Sequence, residues 1–129
     1  MIDHISIAVR DLVKGEQFYA ALLAPLGLAK LREWPDAAIG FGKKYPEFWI
    51  NRRDAMDRGA DDSGVHICLR ASDIAAVDAS HAAALQAGGT SDGEPGLRPH
   101  YYGGYYAAII RDPDGNRIEA VTFVREGAE

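Results

Sequence analysis

His4-Ile5-Ser6-Ile7-Ala8-Val9-Arg10-Asp11 returns later in the chain as His66-Ile67-Cys68-Leu69-Arg70-Ala71-Ser72-Asp73. The same offset pairs Leu12 with Ile74, Ala20 with Ala82, Ala21 with Ala83, Leu23 with Leu85 and Gly27 with Gly89. Self-similarity at a fixed offset marks a repeated structural unit. Here the offset is close to half of the 129 residues, so the sequence reads as two related modules, about 1–60 and 64–126, within one domain spanning 1–126. The polar stretch Arg52-Arg53-Asp54 to Ser63-Gly64 has the composition of a connecting loop, with Arg52, Arg53 and Arg58 as solvated charge.

Each module opens on an alternation. Ile5, Ile7 and Val9 oppose His4, Ser6 and Ala8, and Val65, Ile67 and Leu69 oppose His66, Cys68 and Arg70, which is the period of a strand with one buried face. Asp11 and Asp73 follow as helix N-caps, their carboxylates placed to accept from free amides of a first turn. Leu12, Phe18, Tyr19, Leu22 and Leu23 recur at helical spacing until Ala24-Pro25; Ile74, Val77, Ala84 and Leu85 do so until Gly88-Gly89. His81 falls on the packed face of that second helix. Strands are then expected near 28–32, 37–41 and 47–51, and again near 90–94, 105–111 and 117–124. The last two flank Asp112-Pro113-Asp114-Gly115-Asn116, a tight turn. The order in both halves is β-α-β-β-β.

Composition narrows the function classes. Fourteen basic against nineteen acidic residues give a net charge of −5, which argues against a broad electrostatic grip on nucleic acid or anionic lipid. No apolar run approaches the roughly 18 residues of a membrane span. Cys68 is the single cysteine, so no intrachain disulfide forms, and Met1-Ile2-Asp3-His4 does not open like a signal peptide. A soluble, cytoplasmic protein is expected.

If the apolar faces of the opening strands pack on the helices, His4 and His66 point the other way. In the last strand Ile118 and Ala120 take the helix side, which leaves Glu119 facing with the histidines. Two histidines and a carboxylate form a divalent-metal set with open coordination positions. The alternative is that each is an ordinary strand residue, hydrogen-bonded or solvated.

The chain resembles the glyoxalase, bleomycin-resistance and extradiol dioxygenase (vicinal oxygen chelate) superfamily. The resemblance spans nearly the whole sequence. It rests on residues 3–12, on Phe18-Tyr19 and Leu26-Gly27-Leu28, on Gly64-Val65-His66-Ile67, and most specifically on Asp112-Pro113-Asp114-Gly115-Asn116-Arg117-Ile118-Glu119. It implies an α+β fold in which two βαβββ modules curl their mixed sheets into a cup. It also implies a homodimer, and a divalent metal (Zn, Ni, Mn or Fe) held by His4, His66 and Glu119. One position departs from the pattern: Trp49 stands where metal-dependent lyases of the family carry a fourth, carboxylate ligand. Glu47 shares its strand parity but lies two residues away, roughly 6 to 7 Å along a strand, so its role depends on the register of that strand. Without the carboxylate, a glyoxalase I reaction loses its obvious base. Ring-cleaving dioxygenases use an additional His and a Tyr before the last ligand, and Tyr105 and Tyr106 lie earlier than that place.

Further candidates surround the cup. Arg98-Pro99-His100-Tyr101-Tyr102-Gly103-Gly104-Tyr105-Tyr106 is an aromatic segment in which His100, Tyr101 and Tyr102 are catalytic candidates, as a lip over a small ligand or else as packed strand-edge residues. Trp49 and Arg70 are candidate substrate contacts, Arg70 for a substrate anion or an internal acid. Cys68 reads as a small packing residue. The sequence thus points to a metal-dependent enzyme of lyase, isomerase or dioxygenase type acting on a small oxygenated molecule. The competing reading is a non-catalytic protein that sequesters a drug or metabolite, as bleomycin-resistance relatives do.

Overall fold

A computed structural model describes residues 1–56, 64–101 and 103–125 of the chain. The first module runs β1 (Ile5–Val9), α1 (Leu12–Leu23), a 3-10 turn (Ala24–Leu26), β2 (Ala29–Trp34), β3 (Ala38–Gly42) and β4 (Pro46–Arg52). The second runs β5 (Ile67–Arg70), α2 (Ile74–Gln86), β6 (Thr90–Leu97), β7 (Tyr105–Arg111) and β8 (Arg117–Phe123). Each module forms one four-stranded mixed sheet, ordered β1-β4-β3-β2 and β5-β8-β7-β6, with β1–β4 and β5–β8 parallel and the other pairs antiparallel. The fold is α+β, and the sheets curl without closing.

Local chemistry accounts for these elements. Asp11 accepts from the Lys14 amide at 3.0 Å and Asp73 from the Ala76 amide at 2.8 Å, capping α1 and α2. Pro25 cannot extend α1, and Gly27 at φ +84° closes the turn that follows. The helices cover one face of their own sheets and pack on each other, so one apolar core runs through both modules, with Phe18, Tyr19, Leu22, Phe41, Phe48, Ile50, Val77 and Ile118 all buried. Each large side chain contributes about 1.5–3 kcal/mol relative to exposure.

The helical reading of α2 needs one correction. Leu85 is 39% exposed, and the buried stripe is Ala76, Val77, Ser80, His81 and Ala84. Helix-on-helix contact selects small side chains that let the axes approach, so the bulkiest apolar residue lies one position off the stripe. Val65 is also exposed, because β5 begins two residues later, at Ile67. Buried His81 meets Ser91 Oγ at 2.8 Å, and Ser80 donates to the Leu22 carbonyl at 2.8 Å, linking α2 to α1.

The 112–116 turn has an architectural role. Asp112 Oδ1 accepts from the amides of Asp114 (2.9 Å) and Asn116 (2.7 Å), and its Oδ2 accepts from Asn116 Nδ2 (2.8 Å) and the Tyr19 hydroxyl (2.6 Å). Asn116 Nδ2 also donates to the Ala8 carbonyl at 2.9 Å, and Arg10 pairs with Asp114 at 3.1 Å. This turn therefore fastens the second module to the end of β1 and to α1. Among the described residues, the modules meet chiefly through their helices and this turn rather than through the helix-free faces of their sheets.

Candidate functional site

On the second sheet the pleat sorts side chains cleanly. Ile118, Ala108 and Ile110 are buried towards α2, while Glu119 and Ile109, paired across β8 and β7, take the helix-free side. His66 stands just before β5, and its Nε2 lies 3.2 Å from Glu119 Oε1. The imidazole is exposed and the carboxylate is 4% exposed. The other oxygen, Oε2, accepts from the Tyr105 hydroxyl at 2.5 Å. Burial, followed by the hydrogen bond to Glu119, pushes the Tyr105 phenol well above its ordinary value, so it remains a donor. Cys68 Sγ lies 4.0 Å from the same hydroxyl. Cys68 is exposed rather than packed, and its thiol is pushed up to about 11, first by partial desolvation of the sulfur and then by the Glu119 charge, which keeps it protonated.

His66, Tyr105 and Glu119 open onto a cavity of about 760 Å³ that also reaches Asp92, Arg117, His100 and Tyr101. Its aromatic wall joins His100 to Tyr101 at 4.6 Å and Tyr101 to Tyr105 at 4.9 Å, both edge to face, and Tyr105 in turn meets Phe123, outside the lining, at 5.5 Å. Tyr102 and Arg58 lie outside the described residues. Arg70 stacks its guanidinium 4.7 Å above the Phe123 ring, so the partner it takes is an aromatic face.

The first sheet carries the remaining candidates. His4 is exposed ahead of β1 and meets Asp3 Oδ1 at 2.8 Å. The register of β1 on β4 pairs Ser6 with Trp49, and the register of β5 on β8 pairs Cys68 with Glu119. Ser6 and Cys68 are repeat equivalents, so Trp49 occupies the counterpart of the Glu119 position and no register shift substitutes Glu47. Glu47 Oε1 instead accepts from the Lys43 amide at 3.4 Å. Trp49 packs over Gly40, where an added Cβ would come within 3.0 Å of the indole. Asn51, on the same face, donates to Ser6 Oγ at 2.7 Å and to the Ile7 carbonyl at 3.0 Å.

Within one chain the structure brings together His66, Glu119, His100 and Tyr101, and it leaves His4 and Trp49 on the other sheet. Among the described residues, no three His, Cys, Asp or Glu side chains gather into a metal-holding group. The donor chemistry of the pair nonetheless fits a divalent ion. Adjacent ligands at metal bonds of roughly 2.0–2.1 Å stand about 2.9 Å apart in an octahedron and about 3.4 Å in a tetrahedron, and the observed 3.2 Å lies between.

Sequence reasoning missed Asp92 and Arg117, and gave Tyr105 no role. Arg117 was legible, since it shares the parity of Glu119 on one strand. Asp92 was not, because the register of β6 on β7 slips between Ser91 and Gly93 and alternation no longer predicts its side.

Comparison with known proteins follows the same lines. Residues 1–120 match the family described as Glyoxalase/Bleomycin resistance protein/Dioxygenase superfamily. Among solved structures, a glyoxalase/bleomycin resistance protein from Albidiferax ferrireducens T118 is 31% identical over 92% of this chain and 96% of its own, with a TM-score of 0.79. A family enzyme from Burkholderia phytofirmans PsJN is 18% identical (95% and 98% covered, TM-score 0.73). The fosfomycin resistance protein FosX from Mesorhizobium loti is 16% identical (98% and 95% covered, TM-score 0.68) and shares the fold. No curated protein matches significantly. Among the described residues, no helix is long and apolar enough to cross a membrane.

Proposed function

Because this chain belongs to the glyoxalase/bleomycin resistance protein/dioxygenase superfamily, we propose that it is a divalent-metal-dependent enzyme acting on a small oxygenated molecule. The observation that carries this reading is the His66–Glu119 pair, 3.2 Å apart at the wall of an open cavity. His66 and Glu119 would hold the ion, with His4 of a second copy of the chain as third ligand, since His4 precedes a strand of the other sheet and, among the described residues, the helix-free faces of the two sheets do not pack on each other. The protein is then a homodimer with sites shared between copies. When bound, the ion supplies Lewis-acid polarisation of substrate oxygens.

The other roles belong to the chain itself. Tyr105 fixes Glu119 Oε2 and thereby turns Oε1 towards His66. The aromatic wall of Tyr101 and Tyr105 offers a substrate apolar ring faces beside the His66–Glu119 pair. His100 brings to the lip an imidazole that can accept or donate a proton. Trp49 enters the substrate space from the second copy's first sheet, in place of a carboxylate.

Trp49 also favours a second reading, a protein that binds a small molecule without transforming it, because an indole adds contact surface and removes a base. Metal analysis separates the two. The enzyme reading expects about one divalent ion per site in purified protein, lost in His66→Ala and in His4→Ala. Absence of stoichiometric metal after incubation with divalent ions, together with unchanged small-molecule binding by His66→Ala, would establish the binding-protein reading instead.

A further inference from the structure

The cavity has a second charged end. Arg117 precedes Glu119 by two residues on β8 and lines the same cavity, about 6–7 Å away along the strand. Its Nε lies 2.7 Å from Asp92 Oδ2, and Arg111 Nε lies 3.5 Å from that same oxygen. One carboxylate oxygen is therefore shared by two guanidiniums. All three side chains keep part of their surface in solvent, at 33% for Asp92, 28% for Arg111 and 21% for Arg117. Between the two ends lies Ile109, the cross-strand neighbour of Glu119 and an apolar part of the lining.

We infer that the substrate is a small oxyanion whose anionic group is held by Arg117, with Asp92 as the counter-ion that yields. This rests on the metal-site reading above for the other end of the molecule. A guanidinium pairs a carboxylate or a phosphoryl group through two parallel hydrogen bonds, and such charge-assisted bonds are the strong ones. The incoming anion takes Arg117 while Asp92 retains Arg111, so the exchange strands no charge in the wall. Polarity sets the orientation. Glu119 repels an anion at its own end, so the charged group lies beside Arg117 and the neutral oxygens lie beside His66. The spacing of roughly 6–7 Å along the strand limits the ligand to a small molecule, with an apolar middle against Ile109.

3-Hydroxypropionate, which carries one carboxylate and one neutral oxygen, and inorganic phosphate serve as probes, titrated calorimetrically into the protein both with Mn²⁺ and after treatment with EDTA. Wild type is expected to bind at least one of them. Arg117→Gln should weaken that binding tenfold or more, Arg117→Lys should retain part of it, and Asp92→Asn should tighten it by removing the competing carboxylate. The variants' unfolding temperatures and metal contents are measured alongside. A merely structural Arg117–Asp92 pair would lower the unfolding temperature in both variants without moving affinity in opposite directions. Failure of wild type to bind either probe, equal affinity in Arg117→Gln, or weaker binding in Asp92→Asn overturns the inference. Arg117-dependent binding in the EDTA-treated protein, with no stoichiometric metal in wild type, would retire the metal reading and leave the anion site standing. Normal metal content without probe binding would do the reverse. A preference between 3-hydroxypropionate and phosphate distinguishes carboxylate from phosphoryl substrates.

Discussion

The Tyr19 hydroxyl donates to Asp112 Oδ2 at 2.6 Å, joining the first helix to the turn between the last two strands. Tyr19 is completely buried and Asp112 is 4% exposed. A phenol in the core needs a partner, and a carboxylate in the core needs donors, so each answers the other across the boundary between modules.

Tyr19→Phe keeps the ring and deletes the donor. A hydrogen bond to a charged group is worth about 1.5–3 kcal/mol, and urea unfolding should record a loss of that size. An unchanged midpoint would show that the ring alone holds the modules together.

Asp112 also gives stability a pH dependence. Burial pushes its carboxyl above the ordinary value of 3.8, outweighing the hydrogen bonds from Tyr19 and Asn116. The folded state therefore keeps a proton over a range in which the unfolded chain has released it. Its contribution is complete at low pH and declines as pH rises from near 3.8 through the folded value. Comparing wild type with Asp112→Asn by urea unfolding from about pH 3.5 to about pH 7 should show this decline in wild type alone; identical slopes would rule it out.

Gly104 immediately precedes β7 at φ +75°, and a Cβ there would fall 2.0 Å from the Val124 carbonyl oxygen. Gly104→Ala should cost more than about 1 kcal/mol and disturb the strand that carries Tyr105. Thermal unfolding checks the first effect. The second would appear as weaker metal binding, and wild-type values of both would contradict the close approach of the backbone.

Tyr105→Phe removes the donor to Glu119 Oε2 and leaves the aromatic wall. On the proposed function, divalent-metal affinity should drop about 10–100-fold, as read by metal titration, with little change in unfolding temperature. Undiminished affinity would mean that the carboxylate needs no such support.

Much of this protein was legible in order. The repeat, the caps at Asp11 and Asp73, the hairpin around 112–116 and the facing of Glu119 all follow from rules that act over a few residues: strand alternation, amides seeking a cap, and Pro-Gly turn geometry. These rules determined the βαβββ order and the two-module plan. The resemblance carried by 112–119 supplied the expected ligand positions, although the turn itself serves to fasten the modules together.

What the tertiary structure decided depends on pairings that no local rule contains. Register placed Trp49, rather than Glu47, at the counterpart of Glu119, because a parallel pair such as β1–β4 is aligned by the whole sheet and not by a connecting turn. Packing of small residues on α2 put Leu85 outside, and the register slip in β6 accompanied the placement of Asp92 beside Arg117. The helix-to-helix contact, finally, separated His4 from His66 within one chain. Which apolar face covers which is settled by three-dimensional shape, and a repeat in sequence does not say whether its two halves close on each other or on a second copy.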